Sequence, residues 1–375
     1  MNKMPSRQRV NRRGFLKLLG AAGVTAVGGY MLWEYTPWLN DDQPADVVRR
    51  PFQRDSAGPL QMQELVRYAT LAANGHNTQP WKFLIHEHTI EINPDYAHRL
   101  SIVDPQDREL WISLGCALEN LIIAARSAGY APEVIYPGAS DFITVRLAAD
   151  TPQTTHLFDA IPRRQNTRSE YDGQPIPRDD FELVQALSLE PGVVLQFVTH
   201  AADREKVLEY VNQGNLSQYA DPAFLDELVH WLRFNKKEAL ASLDGLYSRC
   251  TGNPEVPRWL GQLFVTSLKP QQQADADARK LRSSSGAVVI ASESDDRTAW
   301  IRTGQVYERL ALQLTALNLQ SALLNQPIEV AEVREQFQSA IGLGHARPQL
   351  LVRFGYADAM PHSLRRSVEQ VLVKR

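Results

Sequence analysis

Two short stretches of the chain carry side chains that could bind a ligand with a phosphate group and a flat ring. The first is residues 163–168, Arg-Arg-Gln-Asn-Thr-Arg, which places three guanidinium groups within six positions. Guanidinium groups bind phosphate through paired, charge-assisted hydrogen bonds. The candidate phosphate ligands are Arg163, Arg164, Thr167 and Arg168. The alternative interpretation is a solvated basic turn, which is the usual state of arginine pairs.

The second stretch is residues 76–81, His-Asn-Thr-Gln-Pro-Trp, which follows a predicted amphipathic helix. Asn77 and Gln79 supply carboxamides that could bond the edge of a ring, and Pro80 biases Gln79 toward extended backbone. The alternative is a turn that ends the helix. His76 adds an imidazole that titrates near neutrality, although a lone loop histidine is more often a hydrogen-bonding residue.

Two further candidates lie late in the chain. Residues 326–329, Gln-Pro-Ile-Glu, form a predicted turn, and a pair of arginines occupies positions 365 and 366. Their residue types alone indicate no particular ligand, and only a family resemblance makes Pro327, Ile328, Glu329 and Arg365 candidate ligands. Glu329 has an alternative role, since a carboxylate in the first turn of a helix is favoured by the helix dipole.

The composition is that of a globular protein and excludes several classes. Of 375 residues, 43% are hydrophobic and 22% are charged. The net charge is −3 and the first 40 residues hold +5, so the remainder holds −8, which argues against a nucleic-acid surface. Two cysteines are too few for a disulfide framework or a zinc site, although a Cys116–Cys250 bridge stays open. We find no metal-ligand spacing, no phosphate loop and no serine nucleophile elbow.

The N-terminal segment, residues 1–40, is predicted to be a targeting signal. Residues 11–17, Asn-Arg-Arg-Gly-Phe-Leu-Lys, are close to the twin-arginine pattern and precede an apolar stretch over residues 18–33. That stretch is shorter than the about 20 residues that a membrane span needs. We expect the twin-arginine machinery to export the chain to the periplasm. Retention as an uncleaved membrane anchor is the alternative, because no clean cleavage site follows.

The chain contains an internal repeat. Residues 111–130 match residues 300–319 at an offset of 189, with identical Trp, Ile, Gly, Glu and Leu at five positions. Residues 49–54 match residues 163–168 at an offset of 114, with all three arginines in place. The two offsets differ by 75, which places an insertion of about that size at roughly 202–285 in the second copy. The sequence therefore predicts two tandem copies with a helical lid insertion.

Periodicity predicts an α+β protein with helices between paired strands. Strands are predicted over residues 82–86, 89–92, 142–147, 193–199, 286–292 and 349–354. Helices are predicted over residues 61–73, 111–130, 179–187, 204–213, 223–240, 300–319 and 328–339. Residues 271–277, Gln-Gln-Gln-Ala-Asp-Ala-Asp, are predicted to form a polar linker.

The quoted motifs resemble signatures of the nitroreductase family of flavoproteins, in its twin-domain, Acg-like branch. The resemblance covers residues 48–370 and includes Tyr171 after the arginine motif. It implies a nitroreductase-like fold in which residues 48–155 and 156–375 form an intramolecular pseudo-dimer, and therefore a monomer. It also implies one non-covalent FMN between the halves. The sequence departs from the family at Gly75 and His76, which replace a usual serine pair.

A symmetric pseudo-dimer would contain a second site, and the sequence argues against one. That site would need Arg49, Arg50 and Arg54 together with a second-half counterpart of the Asn77 loop. The corresponding residues 189–196 contain no asparagine–glutamine pair. We therefore expect one FMN per chain.

The resemblance implies an FMN-dependent oxidoreductase that passes electrons from an unknown donor to a small organic acceptor. The flavin ring would do the chemistry, and no side chain is assigned as catalytic. In that branch the lid restricts access, which puts efficient reduction by nicotinamide cofactors in doubt. The alternative is a flavin-binding or storage protein with little turnover.

Overall fold

The chain folds around two four-stranded antiparallel sheets. The computed structural model describes residues 43–54, 58–138 and 140–373, so the predicted signal at residues 1–40 lies outside the described part. Residues 44–375 form one compact unit. The bounds of the elements follow for each half.

The first half contains four helices and four strands. They are α1 (Gln43–Arg49), α2 (Pro59–Ala69), β1 (Trp81–His86), β2 (Thr89–Pro94), α3 (Arg108–Ser127), β3 (Tyr130–Ile135), β4 (Ile143–Ala149) and α4 (His156–Ala160). The second half begins with α5 (Arg178–Gln185) and β5 (Val193–Val198). An insertion over residues 199–285 follows, with α6 (Ala201–Ala220), α7 (Pro222–Trp231), β6 (Leu232–Arg233), α8 (Lys236–Ser242), β7 (Leu246–Tyr247), α9 (Arg258–Ser267) and α10 (Pro270–Arg282).

The second half then continues as the first did. Its elements are β8 (Gly286–Ser292), α11 (Arg297–Ala316), β9 (Gln320–Leu323), α12 (Gln326–Glu329), α13 (Ala331–Ala340), β10 (Arg347–Gly355) and α14 (Val368–Val371). The strand orders are β1-β2-β4-β3 and β5-β8-β10-β9. Each copy has a long helix between its second and third strands. The two orders are the same topology, which confirms the α+β class and the tandem arrangement, with the helical insertion between the first two strands of the second copy.

The two long helices, α3 and α11, cross in the core at a pair of glycines. A Cβ atom on Gly115 would lie 2.0 Å from the carbonyl oxygen of Ile301, and one on Gly304 would lie 2.0 Å from that of Ile112. Gly115 corresponds to Gly304 at the repeat offset of 189, and Ile112 corresponds to Ile301. Each helix therefore makes the same contact with the other, and the crossing has local two-fold symmetry. Helix α3 is long and apolar enough to span a membrane, but nearly all its residues are buried in this core.

The halves also exchange their terminal segments. The amide of Val373 donates to the carbonyl of Phe83 at 2.8 Å, which attaches the C-terminal segment to β1 of the first half. In the opposite direction, Ala45 of α1 packs in a small apolar cluster with Ala239 and Tyr247 of the insertion. These contacts hold the C-terminal segment against the first half and α1 against the insertion.

Two predictions inside the insertion are wrong. The helix predicted over residues 223–240 ends at Trp231, because Trp231 and Phe234 are both buried and Asn235 starts a new helix by accepting from the amide of Glu238. The predicted linker is part of α10. Pro270 occupies its first turn, and Ala274, Ala278 and Leu281 bury one helical face.

Candidate functional site

Basic side chains from distant parts of the chain converge on one another beneath the insertion. Arg164 and Arg365 donate to the same carbonyl, that of Leu71, and Arg49 donates to the carbonyl of Ser363, next to His362. Arg168 interacts electrostatically with the thiol of Cys250, as Arg49 and Arg365 do, and His76 interacts with Arg168. We call this set the basic cluster, and its members are Arg49, His76, Arg164, Arg168, His362 and Arg365. Three loops and α1 supply them, so only the folded chain brings them together.

Arg164 belongs to the basic cluster, and one nitrogen atom of its guanidinium group, Nη1, is left without a hydrogen-bond partner among the described residues. Its side chain is 3% exposed, and its Nε atom lies 3.1 Å from a carboxylate oxygen of Glu308. Its Nη2 donates to the carbonyl of Leu71 at 3.0 Å. Its buried Nη1 has no hydrogen-bond partner among the described residues. A buried donor of this kind is costly unless a ligand satisfies it.

Arg168 has a more open guanidinium group. The group makes no hydrogen bond to any residue of the described part of the chain, although burial is the largest cause that lowers its pKa. Burial and the charge of Arg168 together lower the pKa of His76 to about 4, so this imidazole is neutral at pH 7. Both side chains are half-buried.

The basic cluster carries more positive charge than its carboxylates balance. Burial, then Arg49 and Arg164, lower the pKa of Arg365 well below its usual value. Burial and the same arginines lower the pKa of His362 to about 3, and its buried Nδ1 has no hydrogen-bond partner among the described residues. Glu308 opposes this charge at Arg164 and Arg365. The set is therefore suited to bind an anion with several oxygen atoms.

The predicted ring ligands Asn77 and Gln79 are buried and bonded to protein. The amide nitrogen of Asn77 donates to the carbonyls of Gly245 at 3.1 Å and Leu364 at 3.2 Å. That of Gln79 donates to Leu243 at 2.8 Å, and its oxygen accepts from the amide of Arg366. These bonds hold the insertion and the C-terminal segment against the loop. Contact with a ring stays a prediction, and it would have to replace these bonds.

The two other predicted phosphate ligands, Arg163 and Thr167, lie in different surroundings. Arg163 is exposed and donates to the carbonyl of Asp159 at 3.4 Å, so it lies outside the basic cluster. Thr167 is buried, and its hydroxyl donates to Gln320 at 2.7 Å, which ties the arginine motif to β9.

Arg365 joins the two halves at the site. Its guanidinium group donates to Asn77 Oδ1 at 2.6 Å and to the carbonyl of Thr70 at 2.8 Å. Arg365 and Arg164 share the Leu71 carbonyl, at 3.4 and 3.0 Å. The Asn77 loop of the first half and the arginine motif of the second half therefore meet through a single residue.

The predicted turn over residues 326–329 carries a carboxyl group beside other buried acids. Pro327 and Ile328 are buried, and a Glu329 oxygen accepts from the Gln218 amide at 2.6 Å. Burial, reinforced by the charge of Glu109, raises the pKa of Glu329 to about 8. The same two causes raise the pKa of Asp104 to about 7.

Tyr219 of the insertion connects this acidic turn with the basic cluster. Its hydroxyl interacts electrostatically with both Arg168 and Glu329. The site therefore has a basic end and an acidic end, and α6 lies beside both.

The arginines predicted for a second site are used elsewhere. Arg50 pairs with Glu64, and Arg54 donates to the carbonyl of Ser127 at 3.0 Å. Arg49 joins the basic cluster instead. The sequence repeat had placed Arg49 only in the hypothetical second site, and it gave no sign of His362 other than its place three residues before Arg365.

The chain is similar to several known proteins over most of its length. No family model matches the chain. A Mycobacterium tuberculosis protein provisionally named an NAD(P)H nitroreductase is 29% identical over 316 residues, 81% of this chain and 88% of the relative. A second one, acg, is 24% identical over 322 residues, 82% of this chain and 93% of the relative.

Solved structures that match include a nitroreductase with bound FMN from Bacteroides fragilis and the FMN-dependent nitroreductase NfnB from Mycobacterium smegmatis. The first is 17% identical with a TM-score of 0.32, and the match covers 55% of this chain and 90% of the other. The second is 14% identical with a TM-score of 0.34, and the match covers 59% and 93%. The sequence matches span four-fifths of the chain, so over most of its length the chain is similar to proteins named as NAD(P)H nitroreductases.

Proposed function

We propose that the chain is an FMN-dependent oxidoreductase that holds one FMN, without a covalent bond, between its two halves. The observation that carries the proposal is the basic cluster, in which buried nitrogen atoms of Arg164 and His362 lack partners and Arg168 makes no hydrogen bond in the described part of the chain. The phosphate of FMN has the charge and the oxygen atoms that such a cluster would bind. The names of its relatives support the same chemistry.

FMN, when bound, would accept and donate the electrons, and the protein residues bind it, orient it and control access. Arg164 and Arg168 would hold the phosphate. The turn at Pro327, Ile328 and Glu329 would lie beside the ring, as the resemblance implies. Glu329 keeps a proton near neutral pH, because burial disfavours its charged form. The acceptor is proposed to be a small organic molecule such as a quinone-like or nitro compound.

One observation favours the storage alternative, a flavin-binding protein with little turnover. The insertion is hydrogen-bonded to the loop that faces the basic cluster, since the amide of Gly245 donates to the Asn77 carbonyl at 3.0 Å and Asn77 donates back. Closure of this kind would hinder a large donor such as NADPH from reaching the ring.

Anaerobic mixing of the FMN-loaded protein with NADH or NADPH separates these functions, with the flavin absorbance near 450 nm as the readout. The oxidoreductase proposal expects rapid bleaching with one of these donors or with a small reductant, followed by reoxidation with a quinone or nitro compound. Reduced flavin that passes no electrons to either acceptor would favour storage. Protein that binds no FMN would overturn both.

We further propose export to the periplasm by the twin-arginine machinery, either as a released protein or as one that keeps its N-terminal anchor. The support is the pair Arg12 and Arg13 before residues 14–17, Gly-Phe-Leu-Lys. Replacing both arginines by lysine should retain the protein in the cytoplasm, measured by cell fractionation. Unchanged periplasmic or membrane recovery of the double variant would contradict this route, and Arg7→Lys serves as the matched control.

A further inference from the structure

The insertion presents an apolar helix side to solvent. Trp259, Leu263 and Phe264 of α9 are 67%, 58% and 62% exposed. Leu263 and Phe264 follow Trp259 by four and five residues, so the three side chains lie within about 140° of the helix circumference. The other side packs on the protein, where a Cβ atom on Gly261 would lie 2.1 Å from the ring of Phe234. Three large exposed apolar side chains on one helix side indicate an interaction surface.

The chemistry around this side is suited to a lipid surface. Tryptophan, leucine and phenylalanine are the residues that interfacial helices bury among lipid headgroups and upper acyl chains. Arg258 and Lys269 flank the helix. Residues 231–270 hold six basic and three acidic residues, although the whole chain has a net charge of −3. Local positive charge beside an apolar side attracts anionic lipid headgroups.

The N-terminal end of the described chain reaches the same part of the molecule. Ala45 of α1 packs in one cluster with Ala239 of α8 and Tyr247 of β7. The apolar stretch over residues 18–33 ends ten residues before Gln43, a length that extends at most about 35 Å. The described chain therefore begins beside the insertion, at the end that is joined to the predicted N-terminal signal.

We propose that the exposed side of α9 docks into the interface of an anionic lipid bilayer. The inference rests on the exposure of Trp259, Leu263 and Phe264, the local basic charge and the N-terminal attachment. It does not depend on the proposed FMN site. Docking would place the insertion at the membrane surface.

A fluorescent label on the full chain tests this proposal, with the probe at position 263. Leu263→Cys is labelled with bimane, and Leu183→Cys on α5 is the matched control, because Leu183 is also an exposed leucine, at 54%, outside the insertion. The two native cysteines are free and buried, so label incorporation at the new site is checked against unmodified protein. Vesicles contain phosphatidylcholine with or without phosphatidylglycerol, and a bromine or nitroxide quencher on the lipid chains.

We expect lipid-borne quencher to lower the fluorescence at position 263 at least twofold, more strongly with phosphatidylglycerol, and to leave position 183 unchanged. Phe264→Asp in the labelled protein should reverse the quenching. A label at 263 that is not quenched by lipid would overturn the proposal, even if the protein sediments with vesicles, because the N-terminal stretch alone would then account for binding. A label shielded from water but not reached by lipid quencher would show that a second copy covers this side, and would also overturn it.

Discussion

At the scale of single residues, the proposed function depends on which basic groups lack protein partners. Arg168 makes no hydrogen bond in the described part of the chain and Arg164 keeps one free nitrogen, whereas Arg365 is fully used by carbonyls and Asn77. The sequence predicted that residues 163–168 bind phosphate, but it could not predict that Arg168 lies in the basic cluster and that Arg163 lies outside it. The separation depends on which side chains face the interior after the first half is folded against them.

Arg168→Ala should weaken FMN binding by about 10- to 100-fold, because a charge-assisted hydrogen bond contributes about 1.5–3 kcal/mol. The matched control is Arg163→Ala, five residues earlier and exposed, which should leave the dissociation constant within about twofold. Fluorescence titration measures both. Riboflavin, which has no phosphate, should bind the wild type and Arg168→Ala with similar affinity. Equal losses for FMN and riboflavin would assign Arg168 to the ring or to folding.

Glu329 gives a pH prediction with a definite sign. Its folded pKa of about 8 lies above the ordinary value, so between pH about 4.5 and 8 the folded state binds more protons than the unfolded state. Its contribution to the free energy of unfolding is therefore largest at low pH and declines as the pH rises to about 8. Glu329→Gln removes this decline and keeps an oxygen for Gln218.

Thermal unfolding at pH 5, 7 and 9 measures the effect. The variant should gain melting temperature relative to wild type as the pH rises. The control is Glu332→Gln on α13, since Glu332 is exposed and should show no pH-dependent difference. A constant difference between wild type and Glu329→Gln over this range would contradict the assignment.

At the scale of elements, the crossing of α3 and α11 decides the architecture. The sequence predicted both helices from apolar spacing and predicted their equivalence from matched glycines. It could not predict that the equivalent residues contact each other, since that follows from packing. The end of α7 at Trp231 was missed because the tertiary pairing of β6 with β7 overrides local helix propensity.

Gly304→Ala should destabilise the protein, although alanine normally stabilises a helix relative to glycine by about 1 kcal/mol. The added methyl would lie 2.0 Å from the Ile112 carbonyl oxygen, and relieving such an overlap costs about 1–3 kcal/mol or more. Chemical denaturation should therefore show a lower free energy of unfolding. Gly138→Ala is the control, because nothing lies within 4 Å of its added methyl. Unchanged stability of Gly304→Ala would contradict the close crossing.

At the scale of the whole molecule, the two copies share their strand order but not the residues of the candidate site. Arg50 and Arg54, which correspond to Arg164 and Arg168 in the repeat, bind Glu64 and Ser127 instead. The second copy also has no counterpart of the Asn77 loop. The repeat offsets predicted the duplication and the insertion. The contribution of Arg49 and His362 could not be predicted, because α1 and the C-terminal segment reach the site only through tertiary packing.

Native mass spectrometry of the protein supplied with excess FMN tests the central claim most directly, which is that both halves of one chain bind a single FMN. We predict a monomer near the chain mass of 42.2 kDa with one FMN, at any protein concentration, and a spectrum without this adduct for a variant that lacks both Arg164 and Arg168 side chains but remains folded by circular dichroism. Two FMN per chain, or FMN bound only in dimers, would contradict the claim.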